Sequence, residues 1–294
     1  MTRVLLFGAS GFLGNHVRRA LAPYASLTCP GRDDCDLVRT GVAALGALLR
    51  SVSPDVVVNC TGRLVGSADE LVEANTLVTA KLVEAVATHA PRARLVRLGS
   101  AAEYGVVSAG EAVTEDAPVA PVSAYGVSQA AATRLVELAG AAGRVDGVVL
   151  RVFNPVGPGL PEESLLGRAA ALLRRAIATG ADHISLGSLA SYRDFVDVRD
   201  VAAAVAAAAL AETLPERVLN IASGRAVPVR EAVSLLAEVA GFRGEIREDS
   251  PAPERSAAVP WMRGDVRRAE RLLRWTPGYE FSESVKAAWL GPAG

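Results

Sequence analysis

The chain opens with an uninterrupted apolar run, Arg3-Val-Leu-Leu-Phe7, that stops at a glycine. A strand with no polar alternation must be covered on both faces, and that places it inside a parallel sheet. The glycines that follow, Gly8-Ala-Ser10-Gly11-Phe12-Leu13-Gly14, form a tight turn directly before a helical stretch, Phe12 to Leu21. Parallel strands need crossover connections, and the sequence supplies them. Strands are expected at Ser26–Pro30, Asp55–Cys60, Arg94–Leu98 and Gly147–Arg151, and helices at Val42–Val52, Leu71–Thr88 and Pro121–Ala141. This alternation predicts a doubly wound, Rossmann-type α/β sheet with right-handed crossovers.

The rhythm breaks at Asn154-Pro-Val-Gly-Pro-Gly-Leu-Pro161. Residues 1–155 are expected to form the dinucleotide-binding domain, with 194–222 returning to it. Residues 156–193 and 223–294 would form a smaller substrate-binding region, with a loop at Ser250 to Glu254 and helices at Asp265–Leu273 and Phe281–Leu290. A chain of 294 residues with half of them hydrophobic can bury a core of that size.

Composition narrows the function classes. The 31 basic and 32 acidic residues leave a net charge of −1, which offers no basic face for nucleic acid. Cys29, Cys35 and Cys60 have neither disulfide-framework nor zinc spacing, so no metal site is expected. The N-terminus lacks the pattern of a signal peptide, and the apolar run Val201–Leu210 is too short to span a bilayer. A cytoplasmic protein without membrane contact is the expectation. Lysine occurs only at 81 and 286, and the alanine- and arginine-rich composition points to a GC-rich bacterial genome.

A glycine turn between a first strand and a helix lets a pyrophosphate approach backbone N–H groups at the helix N-terminus. The spacing here is G-x-x-G-x-x-G, with Gly8, Ser10, Gly11, Phe12, Leu13 and Gly14 as the cofactor-contacting stretch. About twenty residues further on, the choice between nicotinamide cofactors is normally made. Arg32 could pair with a 2′-phosphate, and Asp33 or Asp34 could serve a 2′-hydroxyl, so NADP(H) is favoured and NAD(H) stays open. Asp36 and Leu37 are expected beside the adenine.

Ser100 ends the fourth strand, and Tyr125 stands at the start of a helix in Tyr125-Gly-Val-Ser-Gln129. With Asn75 in Ala-Asn-Thr, Gly99-Ser-Ala-Ala-Glu-Tyr-Gly105, Arg151-Val-Phe-Asn154, Arg193-Asp-Phe-Val-Asp197 and Leu219-Asn-Ile-Ala-Ser-Gly224, these motifs resemble the extended short-chain dehydrogenase/reductase family over nearly the whole chain. Within it they look most like reductases of nucleotide-linked 4-keto-6-deoxy sugars.

The resemblance implies that Tyr125 exchanges a proton with the reacting oxygen and that Ser100 hydrogen-bonds it. It puts Cys60, Thr61, Gly62, Asn75, Val152, Asn154 and Pro155 with the cofactor, and Asn154 and Arg193 with the substrate; Tyr104 is also placed with the substrate, as is Arg63, which follows the third strand, although the family more often has small residues near there. Tyr104 is considered as a second proton donor, and Arg193 either meets a substrate anion or pairs with Asp194 or Asp197. The family pattern has lysine where this chain has Gln129. An amide can still bond the nicotinamide ribose but carries no charge, so oxidation, which needs a tyrosinate, should suffer more than reduction.

The expectation is therefore an NADP(H)-dependent ketoreductase of secondary metabolism acting on a small-molecule substrate. An aromatic or polyketide ketone that assists its own protonation, and a non-catalytic dinucleotide-binding protein, are the alternatives. Epimerase or dehydratase activity, which begins with oxidation, is disfavoured. A homodimer through the helices near 71–88 and 121–141 follows from the same resemblance.

Overall fold

A computed structural model describes residues 1–250 and 259–291. The sheet has six parallel strands: β1 (Thr2–Phe7), β2 (Ala25–Thr28), β3 (Val56–Asn59), β4 (Arg94–Ser100), β5 (Asp146–Val152) and a sixth, Val218–Ile221. Their order is Val218–Ile221, β5, β4, β3, β1, β2. The order reverses between β1 and β3, and in such sheets ligands gather at the carboxyl ends beside the reversal.

Helices cover both faces. One face carries α1 (Phe12–Leu21) and α7 (Val198–Leu210), which pack Val17, Leu21, Val201 and Val205 on Val4, Leu6, Val58 and Val96. The other carries α2 (Val42–Val52), α4 (Val78–His89) and α5 (Ala124–Ala141), with Leu45, Leu82 and Val136 on Leu5, Val57 and Leu95. A short α3 (Ala68–Leu71) runs through a π-helical turn, Val72–Leu77, into α4. Expected strand and helix bounds match to within a few residues. The expected 121–141 helix starts later, at Ala124, because the Ser123 side chain accepts the Gly126 N–H at 3.1 Å and caps it.

The C-terminal region adds α6 (Leu165–Thr179) and α8 (Val229–Val239), whose apolar faces share a core with Ile184, Phe195 and Val285. Three two-stranded ladders tie it together. Two short strand pieces, Tyr192–Asp194 and Val196–Asp197, lead into α7. The first expected tail helix begins at Arg267, and the second matches Phe281–Leu290. The loop expected at 250–254 lies outside the described residues beyond Ser250. Among the described residues no helix is long and apolar enough to cross a membrane, and no cluster of His, Cys, Asp or Glu could hold a metal ion.

The glycine turn is sterically enforced. Gly8 has φ +76°, and a Cβ on Gly14 would lie 1.9 Å from the Gly8 carbonyl oxygen. Gly14→Ala must therefore push α1 off β1, and the expected cost is about 1–3 kcal/mol of stability, measured by urea denaturation.

Candidate active site

The carboxyl ends of the strands open into one cavity of about 480 Å³. Gly11, Phe12 and Leu13 form its wall at the start of α1, where no side chain caps the first amides. Cys60, Thr61, Gly62 and Arg63 follow β3, Val152 ends β5, and Asn154 and Pro155 follow it. Ser100 comes from the end of β4, and Tyr125 and Gln129 from the first turns of α5. The far wall is Leu160, Leu165, Leu166, Phe195, Val259 and Met262, with Arg193 among them.

Each polar residue is aimed by the chain. The Ser100 N–H donates to Glu103 Oε1 at 2.9 Å, and Ser100 Oγ accepts from Ala102 N at 3.2 Å, which leaves the hydroxyl hydrogen to give elsewhere. Tyr125 rides on an α5 terminus pinned by Ser128, whose Oγ donates to the Tyr125 carbonyl at 2.8 Å and accepts from Asn75 Nδ2 at 3.0 Å. Asn154 Nδ2 donates to the Asp194 carbonyl at 2.8 Å. Arg193 is buried, which pushes its guanidinium down to about 10, and it donates to the Tyr192 carbonyl at 2.8 Å. Asp194 bonds Ser223, Gly224 and Gly264, and Asp197 bonds Arg199 and Ser284, so the carboxylates weighed as partners of Arg193 serve the scaffold. Burial pushes Asp194 up to about 6. Arg63 pairs with Glu70 at 3.0 Å on the open side.

The structure does not bring every expected residue here. Tyr104 is only 2 % exposed and lies outside the cavity. Its hydroxyl donates to Asn220 Oδ1 at 2.7 Å and accepts from Arg151 at 3.0 Å. Burial, against the pull of Arg151, pushes its phenol up to about 12, so it is a scaffold donor and not a second proton source. Asn75 is also buried, its amide spent on the Arg63 backbone and Ser128, so it positions the loop and the tyrosine helix rather than contacting a ligand. Leu37 packs into the core under α2. Asp36 accepts from Val38 N at 3.0 Å inside its own loop. Arg32 is exposed beyond β2, and Gly8, Ser10 and Gly14 shape the turn without lining the cavity. His16 on α1 is buried, with its Nε2 3.0 Å from the Pro158 carbonyl oxygen.

Sequence reasoning missed a buried charged layer beneath the site. Arg151 and Glu103 pair at 2.8 Å with side chains 3 % and 0 % exposed. Gly99 admits that pair, since a Cβ there would lie 2.6 Å from Glu103 Oε1. Arg97, also buried, donates to Gln129 Oε1 at 2.6 Å. The signal was present: arginines within an apolar parallel strand are out of place unless partnered.

Comparison with known proteins places the chain in a family. The profile of the NAD dependent epimerase/dehydratase family matches residues 4–222. The chain belongs to that family. A dTDP-6-deoxy-L-talose 4-dehydrogenase (NAD(P)(+)) of Kitasatospora kifunensis is 41 % identical, covering 98 % of this chain and 94 % of the relative. A GDP-6-deoxy-D-mannose reductase of Pseudomonas aeruginosa is 29 % identical over 97 % and 95 %. The solved structure of RMD from P. aeruginosa complexed with NADPH superposes with a TM-score of 0.85 at 27 % identity, covering 98 % of this chain and 96 % of that one.

If Tyr104 is scaffold, Tyr104→Phe leaves Asn220 Oδ1 without its donor and takes one of two acceptors from Arg151 Nη1, which keeps the Glu115 carbonyl at 3.4 Å. Stability should fall by about 1–3 kcal/mol in thermal or chemical denaturation, while the affinity for cofactor, measured by titration of the folded protein, stays unchanged.

Proposed function

We propose that this epimerase/dehydratase family member is an NADP(H)-dependent ketoreductase that reduces the ketone of a nucleotide-linked 4-keto-6-deoxy sugar. The observation that carries the reading is the convergence of Ser100, Tyr125 and Gln129 on the cavity that begins at the glycine turn and ends at Arg193. The residues at the turn fit a dinucleotide. The Gly8–Gly14 contact brings α1 against β1, the Gly11 N–H is taken by the Gly8 carbonyl at 3.0 Å, and Phe12 and Leu13 line the cavity at a helix start that no side chain caps. Arg32 is exposed and makes no ion pair among the described residues, whereas Asp34 accepts the Gly31 N–H. That leaves a cation for a 2′-phosphate, and NAD(H) use is the other outcome of the assay. Bound there, a reduced nicotinamide would supply hydride chemistry.

The chain's own residues handle the oxygen and its proton. A phenol with an unperturbed pKa near 10 holds its proton at neutral pH and can give it to a developing alkoxide. Tyr125 is that donor, and the Ser100 hydroxyl bonds the same oxygen. Val152, Asn154 and Pro155 line the cavity and would hold the nicotinamide. The apolar far wall suits a sugar that carries a methyl in place of its 6-hydroxyl, and Arg193 offers a charge-assisted bond to a diphosphate. The names of the two sugar-nucleotide relatives support this substrate class. A second copy would dock through α4, α5 and the turn before α4, where Val72, Leu77, Val127 and Leu138 stand exposed. Light scattering of the purified protein tests that, and a monomeric mass sinks it.

Purified protein with NADPH and a panel of nucleotide-4-keto-6-deoxy sugars and aromatic ketones should consume cofactor only with the sugars. Tyr125→Phe should lower kcat by roughly 10²–10⁴-fold, and Ser100→Ala by about 10²–10³-fold. Turnover of aromatic ketones alone would replace the sugar reading. Tight NADPH binding without consumption of any ketone would make the chain a binding protein. Arg32→Ala should reduce the melting-point rise given by NADPH and leave the NADH rise unchanged.

A further inference from the structure

Arg97 lies on β4 three residues before Ser100, and its side chain leaves the sheet toward α4 and α5. It is 3 % exposed. Its Nε donates to Thr79 Oγ1 at 3.0 Å, one terminal nitrogen to Thr133 Oγ1 at 3.3 Å and the other to Gln129 Oε1 at 2.6 Å. All three acceptors are neutral, and Arg97 forms no ion pair among the described residues. Burial pushes its guanidinium down, with Glu103 and Tyr125 opposing, but arginine stays protonated in proteins. A buried cation held only by neutral oxygens is costly, and such a group marks a place where charge has a use.

The contact also settles which way the amide points. Arginine can only donate, so the atom facing it must be the carbonyl oxygen of Gln129. The Gln129 nitrogen then turns away from Arg97 and has no protein acceptor among the described residues, on a side chain that lines the cavity. An amide whose oxygen is bonded to a cation is polarised and becomes a stronger donor.

Among the described residues, the surrounding charges are paired or exposed and leave Arg97 as the net field on this side. Glu103, after β4, is matched by Arg151 of β5 at 2.8 Å. On α4, Lys81 bonds the carbonyls of Leu37 and Val38, and Glu84 pairs with Arg144. Glu70 pairs with Arg63, Asp69 and Glu73 are exposed, and Arg134 and Glu137 pair on α5. Across the cavity stand Arg63 and Arg193.

We infer that Gln129 and Arg97 together replace a single lysine: the amide supplies the hydrogen-bond donor in the cavity, and the guanidinium behind it supplies the positive field at the Tyr125 phenol. Arg97 is thus a positioning residue with an electrostatic role, and the inference rests on Tyr125 as the proton-transferring group. It revises the expectation that glutamine leaves the site uncharged. The field favours tyrosinate, so the oxidative direction stays open. It also means that Gln129→Lys alone sets a second cation against a buried one and should damage the site.

Tyr125 can be titrated without substrate or cofactor. The protein is labelled with ¹³Cζ-tyrosine, and the Tyr125 resonance among the five tyrosines is identified by its loss in Tyr125→Phe. In Arg97→Met the Tyr125 titration should move up by about one pH unit or more relative to wild type. Arg97→Lys should keep it near the wild-type value, and Arg97→Met combined with Gln129→Lys should bring it back. If Arg97→Met does not fold, Arg97→Gln serves as the neutral variant. In the working enzyme, Arg97→Met should slow oxidation at least about tenfold more than reduction, about the factor that a one-unit shift implies, and the double variant should recover both. A Tyr125 titration unmoved in the neutral variants overturns the inference. A shift in an enzyme that reduces no sugar ketone would uphold the charge assignment and reject the substrate reading.

Discussion

All six strands of the sheet run the same way, so every carboxyl end opens on one edge. A parallel sheet is hydrophobic on both faces and must be sandwiched between helices. The only place where loops, helix N-termini and unsatisfied backbone groups can meet a ligand is that edge, beside the reversal between β1 and β3. The cavity is a consequence of this arrangement, since its walls are the residues that follow β1, β3, β4 and β5.

The edge has to be held rigid, and the chain does this with buried polar groups of high cost and high directionality. Arg151 and Glu103 lock the ends of β4 and β5, and Glu103 in turn fixes the Ser100 amide. Asn75 joins the loop after β3 to the tyrosine helix. Asp194 gathers Ser223, Gly224 and Gly264 under the substrate side. Each group is satisfied by several partners, the condition under which buried polar networks specify a single arrangement. On the proposed function, the tyrosine and serine would meet a carbonyl with no reorganisation, which is where electrostatic catalysis gains most.

Much of this was legible in local patterns. The apolar run before Gly8, the glycine spacing and the strand–helix rhythm are short-range signals, and the structure matches them closely. Ser100, Tyr125, Gln129 and Asn154 each end a strand or begin a helix, and topology carries such positions to the cavity. Tyr104 and Asn75 were misread because a motif records which residues accompany a site, not which way they face. Tyr104 turns under the sheet to meet Asn220, 116 residues away in the chain.

The sequence alone determined the parallel sheet, the dinucleotide turn and the presence of a serine–tyrosine pair, because each follows from residues within a few turns of one another. Only the tertiary structure decided what stands behind Gln129. The contact with Arg97 joins residues 32 apart in the chain, and it exists because α5 crosses the face of β4 at one particular register. A glutamine read in isolation is neutral. Placed against a buried guanidinium that can only donate, it has one orientation and a charge at its back.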